Sequence, residues 1–498
     1  MTRLISHCLT LWSLTATLLV ALPLRQRETS ALDWIDDEVE FLAELKSHLT
    51  GSPNHNKLLE RIEAQLQDLG FQTESDIYDF EYYDAPKTPP KLTVDGEDIE
   101  PAMYVPYSGV TGPEGVTGDL FKLNNPVAGG PAWEDASGKV AVLNLTTGPA
   151  DTSKSLAVWP GSPQWGMRGG VPASIANTGV NMTAAAEAGV KAAIYLWDGV
   201  TAANVYGQYG PFKMLFQDLP AVYLAGEAAS KVVKATEAGA TASLQLEGSM
   251  VSNTTTRTFW VVVPGTELQN ETVIYSTHTD GNNVVQEDGY FALLAQARAL
   301  AASPPRRTTI LLFLTGHLHT PAVTPTGRVL YRWMQDHPEL WNGTNGGTTT
   351  VFGSCVEHLG AVSWFDDLAH DLYWPTGKPD DEMLFAATPS LANLVQDEWS
   401  GAFPDQQLRI SNPIESKLEQ PGEGLPLLWH QIPEISLVTS PDWLLKEWPD
   451  LFDQRQLIDV AVTKRQVASF LRIWDRVDGM DAGQFGDVVY SRGPATLG

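Results

Sequence analysis

The chain alternates short, almost wholly apolar runs with amphipathic stretches. Residues 55–70, "HNKLLERIEAQLQDLG", set Leu58, Leu59, Ile62, Leu66 and Leu69 on one helical stripe, and Gly70 follows as a stop. "KLTVDGEDI" (91–99) is a strand pair turning at Asp95-Gly96. From about residue 106 to 250 short strands and small residues prevail, as in "GKVAVLNL", "AAAEAGVKAAIYLW" and "LPAVYLAGEAASKVVKATEAGATASLQLEG", and this block is read as self-contained. Beyond it "TFWVVVPGT", "ETVIYSTHTD" and "TTILLFLTGH" alternate with helical segments such as "YFALLAQARALAAS". Continuous apolar strands separated by helices predict a mostly parallel sheet covered on both faces. No internal repeat is evident, and the tail from 481 to 498 has no strong periodicity.

At 498 residues and 43% hydrophobic content the chain can bury a large core, arranged as two domains or as one with a large insertion. Its net charge of −28, from 60 acidic against 32 basic residues, repels phosphate backbones and argues against a nucleic-acid partner. The first 24 residues carry Arg3 and then an apolar stretch around Leu9–Leu22. They are read as a signal peptide ending near Thr29-Ser30-Ala31, with a short membrane anchor as the alternative. No later stretch is long and apolar enough to cross a bilayer. Cys8 lies in that segment, so Cys355 stands alone and no internal disulfide is expected in the mature chain. Asn-x-Ser/Thr sequons at Asn144, Asn181, Asn253, Asn270 and Asn342, beside a signal peptide, point to a glycosylated, secreted protein, with a lumenal or membrane-anchored location as the alternative.

The chemistry concentrates where strands end. "VIYSTHTDGNN" (273–283) delivers His278 and Asp280 to a strand tip, two residues apart and so on one face. A second apolar strand ends at His317. The C-terminal edge of an open α/β sheet is where ligands bind. "QEDGYFALL" places Glu287 and Asp288 at a helix N-terminus, where carboxylates are stabilised, and "GSCVEHLGAVSW" brings Glu357. One imidazole and two carboxylates make a zinc triad with an open fourth position; a satisfied polar cluster at a strand end is the alternative from spacing alone.

Taken together, "HTDG…EDG…LLFLTGH…CVEHLGA" and the opening helix after "LTGSPNHN" resemble the M28 family of zinc aminopeptidases and carboxypeptidases. The 106–250 block resembles the protease-associated (PA) domain inserted in many of its members, chiefly in "DLPAVYLAGEAASKVVKATEAG". The likeness spans roughly residues 35–475. It implies an α/β/α sandwich with a mixed, mostly parallel sheet, its peptidase-like parts at 32–105 and 251–480, and a mainly β PA-like insertion. It also implies His278, Asp288 and Glu357 as ligands of one Zn(2+) per chain and Asp280 as the carboxylate that orients His278. Glu287 replaces Asp288 if the alignment slips by one residue.

The departures bear on function. The family follows its second strand with a glycine and two glutamates, the general base and a ligand of a second zinc. "FLTGHLHT" keeps Gly316 but has His317 and Leu318 there, and no histidine follows His430 to complete the second metal position. That position is therefore read as dismantled. His317 could act as general base, as a fourth ligand, or as a strand-end histidine bonded to Asp280 or to a backbone carbonyl. His319 is a weaker candidate, and His358 is placed on the opposite strand face from Glu357 as a structural residue. No role is assigned to His48, His55, His337 or His370. Cys355 is a buried small residue or a neighbour of the metal. "AVWPGSPQWGMRGGVP" (157–172) is a rigid exposed loop or the wall of a substrate pocket. The resulting expectation is a secreted single-zinc hydrolase of peptide or peptide-like amides; the alternative is a catalytically inactive binding or receptor-type ectodomain.

Overall fold

The structure is a computed structural model that describes residues 31–84, 88–124, 132–147, 150–169, 182–208, 218–401, 408–447 and 453–494. Residues 1–30, which hold nearly all of the expected signal or anchor segment with Cys8, and the sequon at Asn181 lie outside the described residues.

Eight strands form the main sheet: β1 (Glu74–Asp84), β2 (Ser249–Val263), β3 (Leu268–His278), β4 (Arg307–Leu314), β5 (Thr349–Glu357), β6 (Glu382–Ala386), β7 (Leu408–Ser411) and β8 (Ile435–Val438). Their spatial order is β1-β2-β4-β3-β5-β8-β6-β7. The centre, β4-β3-β5-β8, is parallel; β1-β2, β2-β4 and β8-β6 are antiparallel, and β6-β7 is again parallel. Every residue of β4 is buried, which is why Ile310–Leu314 is a continuous apolar run rather than an alternating one.

Helices cover both faces: α1 (Trp34–Leu45), α2 (Pro53–Asp68), α3 (Tyr290–Ala302), α4 (Val329–Asp336), α5 (Pro389–Glu398) and α6 (Val460–Gly479). The two-residue period of the strands sorts their side chains. Phe259, Val261, Tyr275, Leu311 and Phe313 pack in one core with α1, α2, α3, α5 and α6. Trp260, Ile274, Ile310, Leu312 and Leu314 pack on the other face with α4 and Leu427. The chain is therefore an α/β/α sandwich with a mixed, mostly parallel sheet. The expected leucine stripe of 55–70 is α2, which begins two residues earlier because Ser52 caps the amide of His55 and Pro53 occupies the first turn.

A second eight-stranded sheet spans residues 91–245, its outer strands Glu97–Ile99 and Met103–Tyr104 and its centre Val116–Lys122, Val140–Thr146, Ala192–Asp198 and Ala221–Leu224. It has apolar cores on both faces. The boundary expected near residue 106 falls inside it, because Lys91–Val94 pairs with Thr241–Gln245 and Met103–Tyr104 with the strand at 221–224. The Asp95-Gly96 turn is present, with φ of 48° and 82°. The lobe joins the main sheet through the far end of the β1–β2 ribbon, where Tyr83 faces Met250. It touches the main lobe again where Lys446 Nζ donates to Ala203 O at 2.8 Å.

Part of the tail is ordered: Tyr490 is buried and exchanges hydrogen bonds of 2.7 and 3.0 Å between its backbone and the side chain of Gln431. Asn144, Asn253, Asn270 and Asn342 are all exposed. Among the described residues no helix is long and apolar enough to cross a membrane.

Glu434, just before β8, is fully buried, and Ser436 Oγ donates to it. Burial pushes its carboxyl up to about 8, against the opposing hydrogen bonds from Ser436 and Gln420. A carboxyl raised in the folded state binds more protons there than when unfolded. Its stabilising contribution is complete at low pH and is lost as pH rises from the ordinary carboxylate range through about 8, on the order of 1 kcal/mol per pH unit. Glu434→Gln should therefore raise the melting temperature at pH 8 and leave it nearly unchanged at pH 5; an equal shift at both values would contradict this placement.

Candidate metal centre

Parallel strands that end in register carry the site. β3 and β5 are paired with Ser276 opposite Cys355, so His278 and Glu357, two residues further on each, leave adjacent strand ends. β8 lies beyond β5 and runs into Thr439. β4 lies on the other side of β3, with Leu314 opposite His278, and Gly316 turns the chain at φ 92° into His317. Four segments thus converge at the C-terminal edge of the sheet.

Three ligand atoms meet there. Glu357 Oε2 lies 3.8 Å from His278 Nε2 and 4.0 Å from His358 Nε2, and all three atoms are within 4.8 Å of one another. The residues are buried, and none of the three atoms has a hydrogen-bond partner. The opposite ring nitrogens are anchored: His278 Nδ1 donates to Asp280 O at 3.0 Å and His358 Nδ1 to Thr439 O at 2.6 Å. A carbonyl can only accept, so each Nδ1 carries the proton and each Nε2 presents a lone pair to the centre. Burial, aided for His278 by the neighbouring His317, holds both rings down to about 3, so both are neutral at physiological pH. Ligands about 2 Å from a tetrahedral zinc lie roughly 3.3 Å apart, so each imidazole would need to move roughly half an ångström or more toward Glu357 Oε2 to share an ion with it. Among the described residues no other group of histidine, cysteine or carboxylate ligand atoms converges in this way.

His358 corrects its placement from sequence. β5 stops at Glu357, and His358 adopts a left-handed backbone with φ 62°, so strand alternation no longer applies and its ring turns back beside Glu357. Asp288 does not join the trio. It stands just before α3, and its Oδ1 accepts from the amide of Leu359 at 2.7 Å. Burial pushes its carboxyl well above the ordinary range, against that hydrogen bond. Glu287 faces His48, with Oε1 2.5 Å from Nε2. Gly289 explains the tight fit of this turn: a Cβ there would lie 1.9 Å from Val356 O.

Asp280 does not reach the ring of His278 with its carboxylate; only its backbone carbonyl does. Its Oδ2 accepts from Thr50 Oγ1 and from the amide of Leu318, both at 2.7 Å, and its Oδ1 from the amide of His317 at 3.2 Å. The carboxylate therefore fixes the turn that carries His317. Burial pushes it up, but His55, His278, His317 and the Leu318 amide outweigh that and hold it below the usual range.

The ring of His317 stacks on that of His278, with centroids 4.1 Å apart and planes 17° from parallel, and its Nδ1 lies 2.7 Å from Glu423 Oε1. Burial alone would lower its proton affinity, but Glu423 more than offsets this and raises it. His319 instead packs among Phe80 and Tyr107. Cys355 is both buried and close to the centre, its Sγ 3.2 Å from Glu357 Oε1. That oxygen also accepts from the amide of Glu423 at 2.7 Å.

Sequence reasoning missed His358, Glu423, His48 and His55. His55 Nε2 lies 2.9 Å from Thr279 Oγ1, beside Asp280, and burial holds it down to about 4. Glu423 had one local signal, its setting between Gly422 and Gly424. Gly422 has φ 78°, and a Cβ on it would lie 2.6 Å from Glu357 Oε2.

By fold the chain is similar to solved zinc-peptidase structures. The aminopeptidase of Aneurinibacillus sp. strain AM-1 matches with 15% identity, over 93% of this chain and 96% of that one, at a TM-score of 0.54. BSAP, a zinc aminopeptidase of Bacillus subtilis, matches with 12% identity over 92% and 96% of the two chains, TM-score 0.54. A Peptidase M28 precursor of Shewanella amazonensis SB2B matches with 14% identity over 95% and 100%, TM-score 0.56. No protein-family model and no curated protein sequence matches the chain. At these identities the likeness concerns the fold.

The trio makes a metal-binding prediction. His278→Ala and His358→Ala should each abolish stoichiometric zinc uptake, measured by calorimetry on the folded proteins, whereas Asp288→Asn should retain it. Zinc binding lost in Asp288→Asn but kept in His358→Ala would reverse the ligand assignment.

Proposed function

We propose that the chain is a secreted, single-zinc hydrolase of peptide or peptide-like amide bonds. One observation carries the reading: two neutral imidazoles and one carboxylate aim three buried, unpartnered ligand atoms at a common point. Two histidines and a glutamate with an open fourth position is a ligand set of catalytic zinc. His278, His358 and Glu357 would hold the ion, and the chemistry it supplies in such a site is polarisation of a carbonyl and acidification of water.

The remaining residues have separable tasks. The backbone carbonyls of Asp280 and Thr439 fix the tautomers of the two ligand rings. The amide of Glu423 and the thiol of Cys355 hold Glu357 Oε1, which leaves Oε2 for the metal. His317, stacked on a ligand ring and with its affinity for a proton raised, is the group that takes the proton from the attacking water and returns it to the leaving amine. Leu318, buried against the same turn, offers no donor atom for a second metal. Secretion is supported by the apolar N-terminal segment and by four exposed sequons.

A second reading is a peptidase-like binding ectodomain without catalysis. It is favoured by the near-complete enclosure of the trio, with His278 and Glu357 at 0% exposure, and by the histidine-leucine pair at 317–318. Assay of the zinc-loaded full chain against a library of short peptides, free and blocked at either end, separates the two. The hydrolase reading expects turnover that is lost with a chelator, restored by zinc, and lowered roughly 100-fold or more in His317→Ala. One zinc per chain with no cleavage of any peptide would leave the binding reading.

A further inference from the structure

The geometry points to Glu423 as a positioning residue that acts through His317, locking the tautomer of that ring and tying it to the metal-ligand carboxylate. This rests on the hydrolase reading for its kinetic consequence, but not for its structural one.

Glu423 is fully buried, and the N–H groups around it account for both carboxylate oxygens. Its Oε1 lies 2.7 Å from His317 Nδ1, and its Oε2 accepts from the amide of Leu330 at the start of α4, at 3.1 Å. Its own amide donates to Glu357 Oε1 at 2.7 Å. One residue therefore joins the ring beside the metal centre, the carboxylate within it, and a helix on the far face of the sheet.

A carboxylate flanked by two backbone or ring N–H groups acts as an acceptor. His317 Nδ1 is then the protonated nitrogen, and Nε2 is the one that can take up a proton. Without this partner a neutral imidazole divides between two tautomers, and only one of them places the basic nitrogen where a fixed Glu423 leaves it. The orientation is expensive to imitate. A glutamine at 423 has one acceptor oxygen for two N–H groups, so either His317 or Leu330 would confront an NH2.

The backbone link gives Glu423 a second task. Because its amide holds Glu357 Oε1, the ring and the ligand carboxylate share one anchor, and a shift of the 422–424 turn moves both. Gly422 permits that contact by bringing bare backbone against Glu357. The arrangement is a glutamate–histidine pair set beside a metal centre, on residues that lie 106 positions apart in the chain.

The test uses the full zinc-loaded chain, with Glu423→Gln and Glu423→Asp made alone and in a His317→Ala background. Glu423→Gln should lower kcat roughly 10–100-fold, with KM and zinc content little changed, and should cost nothing further once His317 is alanine. Glu423→Asp, which keeps a carboxylate, should recover part of the loss and stands in if the glutamine variant does not fold. Nitrogen-15 spectra of histidine-labelled protein give a readout that does not depend on turnover: His317 protonated at Nδ1 in the natural chain, and a mixture of tautomers in Glu423→Gln. Equal kcat losses in both backgrounds, or an unchanged Nδ1–H tautomer in Glu423→Gln, would overturn the assignment. If the natural chain cleaves no peptide, the hydrolase reading fails while the spectra still decide the role of Glu423.

Discussion

The registered ending of the parallel strands β3, β5 and β8 is the constraint on which the site depends. The pairing of Ser276 with Cys355 sets His278 beside Glu357, and the pairing of Glu357 with Val438 brings the Thr439 carbonyl to the ring of His358. A slip of one residue in either pairing would turn a ligand to the opposite face of the sheet. The large apolar cores on both faces hold that register. The many buried side chains far from the site thus serve it indirectly, by fixing where three strands stop.

Electrostatics explains why the arrangement points to a cation. A buried polar atom without a partner costs about 1–3 kcal/mol, and here three such atoms face one another. The two rings are neutral because burial removes their protons, so the carboxylate is not paired by an imidazolium. A divalent ion would relieve all three atoms at once. Around them the surrounding acceptors and donors are matched: carbonyls to the Nδ1–H groups, amides to Asp280 and to Glu357, and a carboxylate to His317.

Much of this was legible in the sequence, for physical reasons that differ by residue. β3 and β4 were visible through the apolar runs Val273–Tyr275 and Ile310–Leu314 in their buried halves, and His278 and Glu357 stood out as polar residues at the ends of β3 and β5. α2 was visible through its leucine stripe. The start of the inserted lobe was not, because Lys91–Val94 and Met103–Tyr104 take their sheet from partners more than 100 residues away. His358 was hidden by one dihedral: alternation along β5 predicts the opposite face, and a left-handed turn at the strand end reverses it. The partners of Glu423 and Asp288 were not legible for a related reason, since which carboxylate meets which N–H is decided by loops packed in three dimensions.

The central claim concerns which atoms hold the ion, and crystallography of zinc-loaded protein with anomalous scattering at the zinc edge tests it most directly. The account predicts one peak per chain, bonded to Nε2 of His278, Nε2 of His358 and Oε2 of Glu357. A peak held by Asp288 in place of His358, or no peak between these three side chains in zinc-saturated crystals, would contradict it.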